Sequence, residues 1–238
     1  MANFDRAYKL SEPFIKKWEG GISGNPSDSA SENPSPCGTD TKYNAPYHTN
    51  KGVTWATFQG NANALGYNAS CDNFLNMPES IWKKLYKQRF WDAMNADQIQ
   101  SDVIASFVTE VAWMSGAGSI GGTKGAYPFF QRFLTKKGYT INSKQDVVNS
   151  INQEIKKDEG KLFDDIIAAR RQHFESMNQP TFIKGWLRRL DDFNNNFRIH
   201  LTKTVQFTKR NWIPITIVIV GLAGLGYYLV KSKIIRLK

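Results

Sequence analysis

The chain has 238 residues, 41% of them hydrophobic and 13% aromatic, enough to bury one sizeable core. Its net charge of +10 is unevenly spread, because residues 201–238 hold seven basic side chains and no acid, leaving +3 on residues 1–200. A nucleic-acid-binding face on the folded part is therefore not expected. Two cysteines, Cys37 and Cys71, are too few for a zinc site, and neither a metal nor a cofactor is expected.

In chain order, the opening MANFDRAYKLSEPF is charged and amphipathic, which argues against an ordinary secretory signal. Apolar residues Phe4, Ala7, Tyr8, Phe14, Ile15 and Trp18 recur at helical spacing over 3–19, with a break or restart expected at Pro13 after the possible cap Ser11. The segment ends in KWEGG, where Glu19 stands between a tryptophan and two glycines. Gly20 and Gly21 allow positive φ and leave room for a large ligand beside the carboxylate. Residues 22–51, dense in Ser, Asn, Pro and Gly, read as a long loop with a short β-hairpin. Within it Cys37 begins a segment that reaches Cys71. The two form one disulfide if the domain matures in an oxidising compartment and stay free thiols if it does not. Helical patterns follow at 53–65, 78–93, 98–114, 127–137, 143–157, 160–177 and 180–194. Residues 195–211 read as an extension or linker. Beyond them WIPITIVIVGLAGLGYYLV, residues 212–230, is uncharged and long enough to cross a bilayer as a helix, and a basic tail closes the chain at 231–238.

Nine residues after Glu19 comes Asp28, in NPSD, and HTNKGVTWATF then places Thr49 three residues before Gly-Val-Thr. This order resembles the catalytic triad of phage-type lysozymes, and most closely the N-acetylmuramidases of glycoside hydrolase family 108. A second signature of that family is matched by RRQHFESMNQPTFIKGWLRRL, through Arg171, Phe174, Phe182, Gly185, Trp186 and Arg189. FWDAMNADQI and PFFQRFLTKKGY resemble family segments between the two, so the resemblance covers about residues 4–193. Two features depart from the family pattern. The loop between aspartate and threonine is expanded, which leaves Thr39 and Thr41 as rivals to Thr49. The central helix, TEVAWMSGAG, carries Glu110 and Met114 where the family has Asp and Asn.

The resemblance implies a mostly α, lysozyme-like helical domain over 1–194 that hydrolyses the bond between N-acetylmuramic acid and N-acetylglucosamine in peptidoglycan. Such cleavage needs a carboxylic acid kept protonated near neutral pH, which packing against apolar surface from Trp18 and a neighbouring helix would supply. Glu19 is the expected acid. Asp28 is expected to position a water or shield developing charge, and Thr49 to orient that water. Trp55, Tyr43 and Tyr47 are candidates for stacking on sugar faces. Trp186 is expected to pack the domain together with Arg189 as its polar neighbour, and His48 reads as a loop residue. The setting implied is a phage or prophage, with the enzyme tethered to the host envelope membrane or to an internal virion membrane through 212–230. Virion or membrane proteins are open as further partners, and the oligomeric state is open. A lytic transglycosylase using Glu19 alone, and a non-catalytic wall-binding or virion module, are the alternatives.

Overall fold

A computed structural model describes residues 1–177 and 179–223, with side chains described to Leu201 apart from Ser29. The chain divides into two compact units, Met1–Phe193 and Asn194–Lys238.

The first unit begins with helix α1 (Phe4–Trp18). The Asn3 side chain caps it by accepting from the Arg6 amide, Asp5 lies in its first turn, and Lys16 and Lys17 lie in its last, as the helix dipole favours. Its buried stripe is Phe4, Ala7, Tyr8, Ser11, Phe14 and Ile15. The break expected at Pro13 does not occur, since the helix runs through it. Nor is Ser11 a cap. Its hydroxyl donates to the Ala7 carbonyl one turn back, satisfying a polar group inside the stripe.

After Glu19 the chain forms a three-stranded antiparallel sheet in the order β1 (Ile22–Ser23), β4 (Thr49–Asn50), β5 (Val53–Thr54). A separate pair, β2 (Thr39–Asp40) and β3 (Ala45–Pro46), forms inside the loop between β1 and β4. The loop thus holds two small sheets where one hairpin is expected. Lys51 and Gly52 connect β4 to β5 with φ of 48° and 75°, the two-residue turn whose twist suits a hairpin. Asn50 holds this corner to the helices, its buried amide donating to the carbonyls of Phe74 and Leu75. Cys37 and Cys71 form a disulfide, which settles the pairing the sequence leaves open.

Short helices α2 (Trp55–Asn61) and α3 (Cys71–Leu75) lead into α4 (Glu79–Tyr86), which widens into a π turn over Lys87–Trp91. The central helix is α5 (Asp102–Ser115), capped by the Ser101 hydroxyl and buried without interruption from Val103 to Ala112. A helix buried on every side belongs in the middle of a core, and its polar members Ser106, Thr109 and Glu110 need partners there. Helix α1 packs on it, and α6 (Ala126–Lys136) packs on α7 (Lys144–Ser176). The sequence separates helices at 143–157 and 160–177, and the backbone of Asp158 leaves helical geometry there, with its carboxylate accepting from the Lys161 amide to start the second half. Phe107, Phe163 and Phe193 meet edge-on or stacked in the core so formed.

Helix α8 runs from Pro180 to Ala223, so residues 195–211, expected as a linker, are helical. Of the expected membrane span, residues 224–230 lie outside the described residues. Among the described residues no helix is long and apolar enough to cross a membrane.

Candidate active site

Glu19 is the C-cap of α1, where the backbone turns from helical to extended. Its side chain is only 10% exposed, and its carboxylate is claimed from two directions. The indole Nε1 of Trp113, on α5, donates to Oε1 at 2.6 Å. Arg189, on α8, brings Nη2 to 2.7 Å from the same oxygen. Oε1 is therefore saturated. Oε2 lies against Gly52 in the β4–β5 turn, where a Cβ would run into Oε2 and come within 2.6 Å of the Trp113 ring.

The indole expected beside the acid is thus a different one. Trp18 donates its Nε1 to Asp192 at 2.6 Å, whereas Trp113 covers Glu19. The glycine that matters also differs. Gly20 and Gly21 keep negative φ and have open space where a Cβ would go, whereas Gly52 is both left-handed and crowded. Replacing Gly52 by alanine places an L-residue at positive φ, costing about 1–2 kcal/mol, before any clash. The clash displaces the carboxylate. Gly52→Ala is expected to lower any wall hydrolysis that depends on Glu19 by about a hundredfold or more, the cost of a misplacement on the order of 1 Å. Turbidity clearance by the folded variant measures it, and near-normal clearance would show that Oε2 is not the working oxygen.

Arg189 holds two acids together. Its Nε and Nη2 reach Oε1 and Oε2 of Glu110 at 2.6 and 3.2 Å while Nη2 serves Glu19. Glu110, a departure from the family pattern, and Arg189, expected only as a neighbour of Trp186, thus both belong to the site. Trp186 does pack as expected, against Phe174 and Phe182. A second buried arginine, Arg170, lies 4.4 Å from the Phe174 ring, feels the charge of Glu110, and is pulled down to about 10 by burial. Two arginines and two glutamates therefore balance in charge.

Burial pushes the Glu19 carboxyl above its ordinary range, the Arg189 charge opposes this, Glu110 adds to it, and hydrogen bonds from Arg189 and Trp113 oppose it again. The net direction is upward. Burial works against the Arg189 charge, but its two carboxylate partners more than offset that and hold the guanidinium protonated. The site therefore has a carboxyl biased toward keeping its proton beside an arginine that never loses one.

Thr49 pairs across the sheet with Ser23 and Thr54, so these three side chains share a face, and Thr54 lines a cavity of about 460 Å³ bounded also by Gly52 and Trp113. Its rivals Thr39 and Thr41 are exposed on the second hairpin. His48 is no idle loop residue. It is 1% exposed, and its ring nitrogens lie 2.9 Å from the Thr49 hydroxyl and 3.0 Å from the Asn25 carbonyl. A carbonyl only accepts, so in the neutral ring Nε2 carries the hydrogen and Nδ1 accepts from Thr49. The Thr49 oxygen is left free to accept.

Asp28 belongs to the turn that starts at Asn25, and one of its carboxylate oxygens accepts from the Ala30 amide, capping the short helix Ser29–Glu32. His48 pins this turn to Thr49, but no direct contact joins Asp28 to Glu19 among the described residues. Trp55 is a core ring, meeting Phe74 edge-on at 5.1 Å and 8% exposed, so it offers no face to a sugar. Tyr43 and Tyr47 are half-buried around the second hairpin, Tyr43 under the Lys42 ammonium. Among the described residues no cluster could hold a metal ion.

Residues 13–116 match the family model of glycosyl hydrolase 108. That segment contains Glu19, Asp28, Thr49, Gly52, Glu110 and Trp113, and it stops short of Arg189. It marks this part of the chain as glycosidase-like. Among solved structures, the chain is similar to the structure of Brucella abortus SagA, with a TM-score of 0.55 and 17% identity over 84% of this chain and 95% of that one. This is a likeness of fold. No curated protein matches the sequence.

Proposed function

We propose that the chain is a peptidoglycan-degrading glycosidase, an N-acetylmuramidase that cuts the β-1,4 bond between N-acetylmuramic acid and N-acetylglucosamine. The observation that carries this reading is the asymmetry of Glu19, with Oε1 saturated by Arg189 and Trp113 and Oε2 turned toward the glycine turn. The acidic proton belongs on Oε2. From there it passes to the glycosidic oxygen as the bond to the anomeric carbon breaks, and the carboxylate that remains is stabilised by Arg189. Water then adds to the anomeric carbon from the other face. Thr49, whose own proton is committed to His48, accepts from that water, and the free oxygen of Asp28 takes its proton.

A second reading is favoured by the way Asp28 caps its own turn. If Asp28 takes no part, an internal hydroxyl of the muramic acid attacks the anomeric carbon in place of water, its proton returning to the Glu19 carboxylate, and the product is an anhydro-sugar. Mass spectrometry of the released muropeptides decides between them, because the anhydro product is lighter by one water. Reducing ends would establish the hydrolase, anhydro ends the transglycosylase, and no release of either from intact peptidoglycan would overturn both.

The uncharged stretch 212–230, flanked by basic residues, supports a membrane-tethered enzyme that reaches the wall from a bilayer, and the resemblance to phage-type lysozymes makes a phage or prophage its proposed source. Extraction of membranes with alkaline carbonate is expected to leave the full chain in the pellet, and its release would remove the tether from the proposal.

A further inference from the structure

Two cavities border the acid, and their charges differ. One, of about 320 Å³, is lined by Glu19 itself with Gly20, Gly21, Lys51 and Glu79 among its walls. The cations there are engaged, because Lys51 donates to the Met77 carbonyl at 2.8 Å and Lys16 is paired with Glu12 and Glu79. The other, of about 460 Å³, shares Gly52 and Trp113 with the carboxylate and continues past Thr54 to Gln88, Arg89 and Phe90. No acidic residue lines it. Arg89 is exposed and makes neither an ion pair nor a hydrogen bond among the described residues.

The local backbone accounts for this position. Arg89 sits in the π turn Lys87–Trp91, a widened turn of the kind that recurs at functional sites because it redirects side chains away from the regular helical face. A free guanidinium at the wall of a cavity presents a planar fork that matches a carboxylate bidentately. A cavity of this size lies within the range of sites that take small ligands, roughly 300–1,000 Å³.

We propose that Arg89 binds a free carboxylate of the peptide carried by the muramic acid residue lodged against Gly52 and Trp113, making the enzyme selective for peptide-bearing glycan strands. This rests on the glycosidase reading above. In an intact strand the lactyl carboxyl of muramic acid is tied up as the amide that joins the peptide, so the negative charge offered to Arg89, the unengaged cation along the two cavities among the described residues, lies on the peptide's own free carboxylates. It also sets the direction of the strand, with the peptide-bearing sugar on the Gly52 side of Glu19 and the next sugar toward Gly20 and Gly21.

The test uses the full chain and two substrates, intact peptidoglycan strands and the same strands stripped of peptide by an amidase and then capped as the neutral methylamide at the lactyl carboxyl so exposed, with kcat/KM measured on each. Wild-type protein is expected to favour the peptide-bearing strands by about tenfold to a hundredfold, the range for a hydrogen bond to a charged group. In Arg89→Gln that ratio falls to about one, mainly through KM, and Arg89→Lys keeps part of it. A purely structural role would slow both substrates together and leave the ratio intact. An unchanged ratio in Arg89→Gln, or no preference in the wild type, would overturn the proposal while leaving the glycosidase reading standing. Wild-type protein inert toward both substrates would overturn the two together.

Discussion

Glu19→Gln is expected to abolish wall hydrolysis, by about 10²–10⁴-fold or more, and to make the folded protein more stable at neutral pH. The activity loss follows from the amide's inability to give up a proton to the leaving oxygen. The stability gain follows from burial, which holds the Glu19 carboxyl above its ordinary value despite Arg189. Its folded pKa exceeds its unfolded one, so its contribution to stability is fully present below the usual carboxylate range and is lost as pH rises through the folded value. Thermal melts of the two proteins should therefore coincide in acid and separate toward neutrality, with the glutamine variant higher. Residual hydrolysis close to wild type would remove Glu19 from the mechanism, and a glutamine variant that melts lower at neutral pH would reverse the sign assigned to its burial.

Arg189→Met is expected to cost about 3–5 kcal/mol at neutral pH, as breaking a buried ion pair does when it leaves charge uncompensated. Here it strands two carboxylates, Glu19 and Glu110, whose side chains are 10% and 7% exposed. The loss should shrink in acid, where the Glu19 carboxyl, already biased toward its proton by burial, is neutral. Pairing the change with Glu110→Gln should restore much of the stability and leave Glu19 without its nearest positive charge. Because Arg189 lowers the Glu19 pKa by more than Glu110 raises it, the alkaline limb of the pH–activity profile should move upward in the double variant. Denaturant melts and that profile read the two effects separately. A loss under about 1 kcal/mol, well below the range for a buried pair, would mean that the guanidinium does not bind the two acids together.

The candidate acid is legible in the sequence, while its surroundings are not. Glu19 announced itself by a local word, KWEGG, and by its order relative to Asp28 and Thr49. Helix periodicity locates the two halves of α7 to within a few residues because each buries a regular stripe, whereas α5 shows as a nearly unbroken apolar run. Trp113 and Arg189 lie 94 and 170 positions beyond Glu19, and no spacing rule joins residues that far apart. Gly52 was visible only as part of Gly-Val-Thr; its crowding against Oε2 depends on the β4–β5 turn folding over the end of α1. His48 is not marked by the sequence, because its partners are a neighbouring hydroxyl and a backbone carbonyl, and a carbonyl carries no sequence signal. Pro13 misled in the other direction, since tertiary packing of the α1 stripe outweighs the one hydrogen bond a proline removes.

The pairing of β1 with β4 bears on how this chain can vary. Ile22 and Ser23 are fixed opposite Asn50 and Thr49, and the Lys51 amide reaches the Gly21 carbonyl, so the chain leaves and re-enters the site at one stitched seam. Everything from Gly24 to His48 is an excursion between the two sides of that seam, tied at a further point by Cys37 to Cys71. Lengthening such an excursion is thermodynamically inexpensive, about 0.6 kcal/mol for each doubling. A slip of the seam by a single residue, however, would bring Lys51 or Val53 to the place where only a glycine fits. Length can therefore drift in the part of the excursion beyond the Asp28 turn and short of His48, which makes that stretch the natural place for variation and the four-residue corner behind it the part that has no freedom to change.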